Sequence, residues 1–248
     1  KDILRFHAIY WPAFLLAANI KPPIRVFSHG WILSEEKKMS KSTGNILDPL
    51  EIIKSYGIDE LRYYLMKEVS HGSDGSISLK SLENCINSDL ANNYGNLCQR
   101  VFSFIKNNCA NKVAKRKNIS DSDKKLIEET KKLTMDLRNE MDKQNLNSYI
   151  KSVINISFLT NKYINDEEPW KLKKINSEKM NNILHIALEQ IAKISILLNP
   201  IIPNKTSKVL DALNINTKLR NLGFLDGKNV IGDEIKIKKL EILFKKTT

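Results

Sequence analysis

The sequence has few residues of the kinds that build metal centres, disulfide frameworks and membrane spans. Three cysteines and four histidines occur in 248 residues, with no Cys-x-x-Cys pair, so we expect no zinc site in this chain. An odd number of cysteines without secretory features is typical of a reducing cytoplasm. The longest apolar run, residues 9–20, is interrupted by Pro12 and Asn19 and is shorter than the roughly 20 residues that a membrane helix requires.

Lysine is the residue type that sets the charge of the chain. Lys and Arg total 40 against 28 Asp and Glu, which gives a formal net charge of +12. A surplus of this size favours polyanionic partners such as nucleic acid or nucleotide phosphates. A solvated, lysine-rich surface accounts for about half of such a surplus, so charge alone does not assign a function.

Apolar spacing divides the chain into two parts near residue 78. Before that point, residues 3–18 have helical spacing, interrupted by Pro12, which predicts a kink. A strand-like stretch follows over residues 24–32, and a helix leading into a buried strand is typical of an α/β unit. Because one helix and one strand cannot complete such a sheet, we expect this chain to be part of a longer protein. Residues 1–33 are then expected to expose apolar surface.

Residues 34–78 are predicted to form a small module of short helices. Residues 34–45 are rich in Lys, Ser, Glu and Gly and are predicted to form a loop. Asp48 and Pro49 predict the start of a helix that ends at Tyr56, before Gly57. Asp59 is predicted to cap a second helix, over residues 60–69.

Helical periodicity then continues almost to the end of the chain. It predicts helices over residues 79–108, 123–142, 146–163, 177–198 and 203–213. Short connections between helices of this length favour an antiparallel bundle. Residues 235–244 alternate in polarity, which predicts a returning strand. The expected divisions of the chain are therefore 1–33, 34–78, 79–230 and 231–248.

The predicted loop contains the most informative motif, Lys38-Met39-Ser40-Lys41-Ser42. Two lysines three residues apart, with hydroxyl groups between and after them, are able to grip a triphosphate. A flexible lysine also supplies a point charge that follows phosphate as it leaves. The alternative interpretation is an ordinary charged surface loop.

This motif resembles the lysine loop of the class I aminoacyl-tRNA synthetases, and its surroundings resemble one family among them, the methionyl-tRNA synthetases. The segments that carry the resemblance are Lys1-Asp2-Ile3-Leu4-Arg5-Phe6-His7, Tyr10-Trp11-Pro12-Ala13 and His29-Gly30-Trp31. The resemblance covers essentially the whole chain. It implies an α-rich fold: the last part of a Rossmann-type α/β nucleotide-binding domain, a small stem-contact module, and an antiparallel helical bundle that binds the anticodon.

The resemblance also implies roles for residues near the loop. Lys41 is implied to stabilise pyrophosphate as the adenylate forms, assisted by Lys38. The implied ATP-binding residues are Asp2, Lys38, Met39, Ser40, Lys41 and Ser42, and the implied methionine pocket contains Phe6, His7 and Trp11. Without the resemblance, Phe6 and Trp11 would be interpreted as core residues and His7 as a structural histidine.

A second implied site lies on the bundle. Asn96 and Arg100 are one helical turn apart and so share a face, and Trp170 offers a surface on which an unpaired base stacks. The resemblance implies that these three residues recognise the CAU anticodon. Taken alone, Trp170 would be a packing residue and Asn96 a surface residue.

The implied activity is that of a methionine–tRNA ligase, which activates methionine with ATP and Mg²⁺ and transfers it to tRNA(Met) in the cytoplasm, with no membrane involved. The His-Ile-Gly-His motif of the class is absent from this sequence, so we expect the chain alone to be inactive. Two alternatives stay open: another class I synthetase, such as a leucyl or cysteinyl enzyme, and a non-catalytic tRNA-binding helical protein.

Overall fold

The computed structural model describes residues 2–34, 36–39, 46–70, 72–227 and 230–247. Helices dominate these ranges, and the strands within them are only two or three residues long. The helix-rich character predicted from the periodicity is therefore confirmed.

The first helical segment changes type along its length. It begins with a π-helical turn, Phe6–Tyr10, and continues as α1, Trp11–Ala17. Pro12 lies in the first turn of α1, where its missing N–H needs no partner. A kink was predicted at Pro12; the structure instead changes from π-helix to α-helix directly before it. No residue of the two elements is buried, which confirms the expected exposure of apolar surface here.

A three-stranded sheet follows the extended stretch after α1. β1 (Ile32–Ser34) pairs antiparallel with β2 (Lys37–Lys38), which places Leu33 opposite Lys38, and pairs parallel with β3 (Gly75–Ile77). The prediction of a strand over residues 24–32 is wrong, because pairing begins only at Ile32. An apolar run becomes a strand only where a neighbouring strand completes its hydrogen bonds, and none of the described strands lies beside residues 24–31.

Two short helices connect β2 to β3. They are α2 (Pro49–Tyr56) and α3 (Ile58–Glu68). Asp48 caps α2 as predicted, since its Oδ1 accepts a hydrogen bond from the Leu50 N–H at 2.8 Å. The prediction that Asp59 caps α3 is wrong: Gly57 is the N-cap residue, and the buried Asp59 carboxylate is hydrogen-bonded to a different helix.

The rest of the chain forms a helical bundle. The predicted helix over residues 79–108 is continuous but contains a π-helical stretch, Ile86–Gly95, between α4 (Leu79–Cys85) and α5 (Asn96–Asn108). The helices that follow are α6 (Asp121–Thr134), α7 (Leu137–Asp142), α8 (Leu146–Glu167), α9 (Pro169–Leu172), α10 (Ser177–Leu198) and α11 (Pro203–Ala212). A single helix over residues 123–142 was therefore a wrong prediction, because Asp136, with φ −103° and ψ 2°, leaves the helical conformation between α6 and α7.

The bundle is built around α10. Sixteen of the 22 residues of α10 are buried, so neighbours surround it on all sides, whereas its sequence suggested a single apolar stripe. The Tyr149 hydroxyl, near the start of α8, donates to Leu197 O near the end of α10 at 2.8 Å. The two helices are therefore antiparallel, as the short connections predicted.

The last part of the chain returns across the bundle. β4 (Lys112–Val113) pairs antiparallel with β5 (Ile235–Lys236), so the strand predicted over residues 235–244 is limited to two residues. Directly beyond β5 the backbone still pairs with the bundle, since the N–H groups of Ile237 and Lys238 donate to Asn111 O at 2.9 Å and Ala212 O at 2.7 Å. Further on, Phe244 is buried and its ring centroid lies 6.3 Å from that of Tyr94.

One face of α3 connects the small module to the bundle, and we call this connection the α3 joint. Asp59 accepts hydrogen bonds from the Lys205 N–H at 2.7 Å and from Asn204 Nδ2 at 3.0 Å, in the first turn of α11. The Arg62 guanidinium donates to Pro200 O and Ile201 O, both at 2.8 Å, just beyond the end of α10. A carboxylate at a helix N-terminus and a cation near a helix C-terminus both interact favourably with the helix dipole and so stabilise the helix.

Further contacts of α3 extend the joint to the C-terminal segment and the π-helical stretch. Lys205 Nζ lies 3.0 Å from Glu60 Oε1 and donates to Leu243 O at 2.6 Å. The buried Tyr63 hydroxyl donates to Asp89 Oδ2 at 2.7 Å. Burial, together with the Asp89 carboxylate, raises the pKa of Tyr63 well above its ordinary value, so this hydroxyl stays protonated and remains a donor.

Gly57 is the position in the module where a larger residue should lower the free energy of unfolding most. Its φ is +107°, and an alanine Cβ there would lie 2.4 Å from Glu60 Oε2, a side chain that is buried and held by Lys205. Gly57→Ala is expected to lower the free energy of unfolding by about 2–4 kcal/mol, measured by urea denaturation followed by circular dichroism. Gly72→Ala is the matched control, because Gly72 has φ +89° and nothing within 4 Å of its Cβ position. Equal losses in the two variants would show that the Glu60 contact contributes nothing.

Candidate functional site

The first lysine of the motif lies on a hairpin beside a tryptophan. Lys38 Nζ is 4.1 Å from the centroid of the Trp31 ring, over its face, a geometry that attracts a cation to the ring quadrupole. Trp31 is itself fixed by its backbone: its N–H donates to Asp74 Oδ1 at 2.8 Å, and its carbonyl accepts from the Gly75 N–H at 2.8 Å. The hairpin therefore holds Lys38 on one face of the sheet.

The rest of the motif is only partly described. Met39 is partly buried and packs against the core of the protein. Ser40, Lys41 and Ser42 lie outside the described residues. Gly30, just before Trp31, allows a close backbone approach, because a Cβ at this position would lie 2.1 Å from Ser73 O.

The three residues predicted to bind methionine share one helical segment. Phe6 packs edge-on against Tyr10, with 5.6 Å between ring centroids, and His7 packs against Trp11 in the same manner at 6.3 Å. His7 Nδ1 lies 2.9 Å from Ile3 O; a carbonyl only accepts, so Nδ1 carries the proton and Nε2 of the neutral ring is left as an acceptor. The segment thus presents two adjacent aromatic pairs.

These aromatic pairs are open to solvent. Phe6 is 58% exposed and Trp11 is 44% exposed, so neither is the core residue that its helical spacing alone would predict. Asp2, predicted to lie beside the ATP ribose, is also exposed. The ring contacts of Phe6, His7 and Trp11 are made within their own helical segment.

The structure does bring together two of the three residues predicted to read an anticodon. Arg100 Cζ lies 5.7 Å from the centroid of the Trp170 ring. Trp170 is 44% exposed and sits in α9, directly after Glu168, whose left-handed backbone (φ 44°) redirects the chain after α8. Asn96 is exposed one turn before Arg100 on α5. The arrangement offers a flat ring, a guanidinium and an amide on one accessible surface.

Asparagines on α8 and in the π-helical stretch hold this arginine in place. Arg100 Nη2 donates to Asn165 Oδ1 at 2.7 Å, and Arg100 Nη1 lies 3.5 Å from Asn161 Oδ1. Asn161 Nδ2 in turn donates to Asn93 Oδ1 at 3.0 Å. An arginine whose rotamer is fixed in this way loses less conformational entropy when it binds a ligand.

Several residues of these sites were not singled out from the sequence. Tyr10, Trp31, Asn161 and Asn165 each contact a predicted site residue. The signal for Tyr10 was its spacing of four residues from Phe6 on one helix face. Asn161 and Asn165 also share a helix face, but only the folded structure shows that Arg100, 61 and 65 residues earlier, reaches them.

Two of the three cysteines lie in the interior of the fold. Cys85 and Cys98 are free and buried. Burial raises the pKa of the Cys85 thiol to about 12, so it is protonated at neutral pH and is neither a nucleophile nor a metal ligand there. Across the described ranges, no three His, Cys, Asp or Glu side chains are grouped so as to hold a metal ion. No helix in those ranges is both long and apolar enough to cross a membrane.

Two family profiles match consecutive parts of the chain. The profile described as tRNA synthetases class I (M) matches residues 1–102. The profile described as the anticodon binding domain of methionyl tRNA ligase matches residues 113–248, more than half of the chain.

The chain belongs to the methionyl-tRNA synthetase family.

Individual relatives agree with this assignment. The methionine–tRNA ligase of Rhizobium meliloti (strain 1021) is 39% identical over 241 residues, covering 96% of this chain and 47% of the relative. That of Rickettsia felis is 42% identical over 223 residues, covering 89% and 44%. The chain therefore spans about half the length of the curated relatives it matches.

Solved structures of methionyl-tRNA synthetases share the fold. The Mycobacterium tuberculosis enzyme bound by methionyl-adenylate matches with a TM-score of 0.92 and 33% sequence identity, covering 98% of this chain and 48% of that one. Its apo form matches with a TM-score of 0.90 and 29% identity, covering 100% and 48%. Of the alternatives left open by the sequence, membership of a leucyl or cysteinyl synthetase family is excluded by the methionyl-specific match.

Proposed function

We propose that the protein containing this chain is a methionine–tRNA ligase. It would activate methionine with Mg²⁺-bound ATP and transfer it to tRNA(Met), in the cytoplasm. The observation that carries the proposal is that one folded chain of this family joins a lysine hairpin suited to phosphate with an exposed Arg100–Trp170 pair suited to a nucleobase. The described lysine hairpin disfavours a purely tRNA-binding, non-catalytic protein.

The lysine loop acts in the first step. The methionine carboxylate attacks the α-phosphorus of ATP, the bond to the β-phosphate oxygen breaks, and pyrophosphate leaves with the negative charge. Lys38 and Lys41 supply positive charge to that leaving group, while Met39, Ser40 and Ser42 shape the loop over ATP and Asp2 faces the ribose. Fixed charge placed where charge develops is the largest single contribution in many enzymes.

The aromatic helical segment forms part of the methionine pocket. A polarizable thioether sulfur makes favourable contacts with the edges of aromatic rings. Phe6, His7 and Trp11 present such rings beside one another. Tyr10 contributes by packing on Phe6. The π-helical geometry of this turn supports the proposal, since such turns occur frequently at functional sites.

The bundle reads the anticodon. Trp170 stacks on an unpaired base, and Arg100 and Asn96 hydrogen-bond to base edges. In this arrangement residues 1–33 complete the catalytic domain, residues 34–78 carry the lysine loop and contact the tRNA stem, residues 79–230 form the anticodon-binding bundle, and residues 231–248 return across it.

Removing the second lysine of the motif should slow adenylate formation without weakening methionine binding. In the full-length enzyme, Lys41→Ala is expected to slow methionine-dependent ATP–pyrophosphate exchange by about 10²–10³-fold, while the dissociation constant for methionine stays nearly constant. Lys37→Ala is the matched control, since Lys37 is an exposed lysine of the same hairpin outside the motif. Equal losses in rate and in methionine affinity, or an equal effect of Lys37→Ala, would contradict a transition-state role.

Removing the exposed tryptophan should impair only the tRNA-dependent step. Trp170→Ala is expected to lower kcat/KM for tRNA by about 5–150-fold, the equivalent of about 1–3 kcal/mol of base stacking, with pyrophosphate exchange unchanged. Trp170→Phe should restore most of the activity. Phe158→Ala removes an equally exposed aromatic from α8 and should have no effect. An equal fall in pyrophosphate exchange would show that Trp170 stabilises the fold and does not act in tRNA binding.

A further inference from the structure

A cleft on the side of the bundle contains a buried amide that has no partner. Gln190, on α10, is fully buried, and neither its Nε2 nor its Oε1 makes a hydrogen bond with any residue that the structure describes. Buried polar side chains are nearly always paired, because an unpaired buried donor or acceptor costs its full desolvation. Both polar atoms of the Gln190 side chain are therefore available to a ligand.

The cleft that Gln190 lines is of ligand size and largely apolar. Its volume is about 450 Å³, within the range of small-molecule sites. Its walls come from α6, α8, α10 and the turn Leu222–Asp226, with Ile127, Ile156 and Phe224 as its main apolar surfaces. Ile156 on α8 lies opposite Gln190 on α10. The two helices are antiparallel, and each residue is seven positions from the Tyr149–Leu197 contact.

Positive charge lies at the same cleft. Lys131 and Lys193 both line it; Lys193 is paired with Glu189 at 2.6 Å, whereas Lys131 is exposed and has no ion pair within the described residues. Asp226, which also lines the cleft, accepts hydrogen bonds from Arg138 at 3.0 and 2.9 Å. A phosphate at the mouth of the cleft would be within the reach of a flexible lysine.

We propose that this cleft binds a purine mononucleotide, with the base inside and the phosphate at Lys131 and Lys193. A primary amide presents a donor beside an acceptor, which matches the N6 and N7 edge of adenine. Phe224 and the two isoleucines supply the apolar and aromatic surface that a base requires. Because no part of Gln190 is open to solvent, the base reaches its amide only after a side chain of the wall rotates.

The test uses the full-length protein, labelled with ¹³C at the δ1 methyl groups of isoleucine and saturated with a non-hydrolysable methionyl-adenylate analogue to fill the catalytic site. Added AMP is expected to shift the Ile127 and Ile156 methyl signals, saturating in roughly the millimolar range, and to leave that of the distant, exposed Ile175 unchanged. Adenosine, which lacks the phosphate, and ribose 5-phosphate, which lacks the base, should each bind more weakly than AMP.

Variants separate a binding role from a structural one. Gln190→Leu is expected to weaken AMP binding about tenfold, and Lys131→Ala, at the exposed rim, about threefold. Lys125→Ala, an exposed lysine of the same helix, is the matched control. The absence of AMP-dependent shifts at Ile127 and Ile156 would overturn the proposal, as would unchanged AMP affinity in Lys131→Ala. Shifts produced by tRNA and not by AMP would equally overturn it, in favour of an RNA contact.

Discussion

The hydrogen bonds of one buried carboxylate, that of Asp59, join the two parts of this chain at the α3 joint. Asp59 belongs to α3 but is hydrogen-bonded to the first turn of α11, where it accepts from a backbone N–H and from a side-chain amide. A carboxylate only 1% exposed is stable when such donors replace the water it has lost. The interaction cannot form in either part alone, so it favours a single relative placement of module and bundle.

The placement of both proposed sites follows from that constraint. The parallel pairing of β1 with β3 anchors the Lys38 hairpin to the segment that follows α3, and Trp31 fixes Lys38 from the same sheet. On the other side, the π-helical stretch positions Asp89 toward Tyr63 of α3 and Asn93 toward Asn161 and hence toward Arg100. Strand pairing, α3 and the π-helical stretch thus connect the lysine hairpin to the Arg100–Trp170 pair.

Sequence reasoning was reliable where the signal is local. Asp48, Pro49 and Gly57 bound α2 as expected because capping depends only on neighbouring backbone groups. It failed where the partner is distant in sequence. Asp59 resembles an N-cap residue, yet its donors lie 145 and 146 residues later. The apolar stretch over residues 24–32 resembles a strand, but a strand also requires a neighbouring strand, which the spacing of apolar residues does not reveal. Likewise Arg100 could be selected by resemblance, while Asn165, which holds it, could not.

How firmly Asp59 fixes the module against the bundle is seen in the distribution of distances between the two. Spin labels at Lys54→Cys on exposed α2 and at Lys125→Cys on exposed α6, with Cys109→Ser to remove the partly exposed native thiol, report the separation by double electron–electron resonance. This role of Asp59 predicts a single narrow distribution that broadens markedly in Asp59→Ala, with helix content unchanged by circular dichroism, and that stays narrow in the control Asp211→Ala. An Asp59→Ala distribution as narrow as that of the unmodified chain would contradict it.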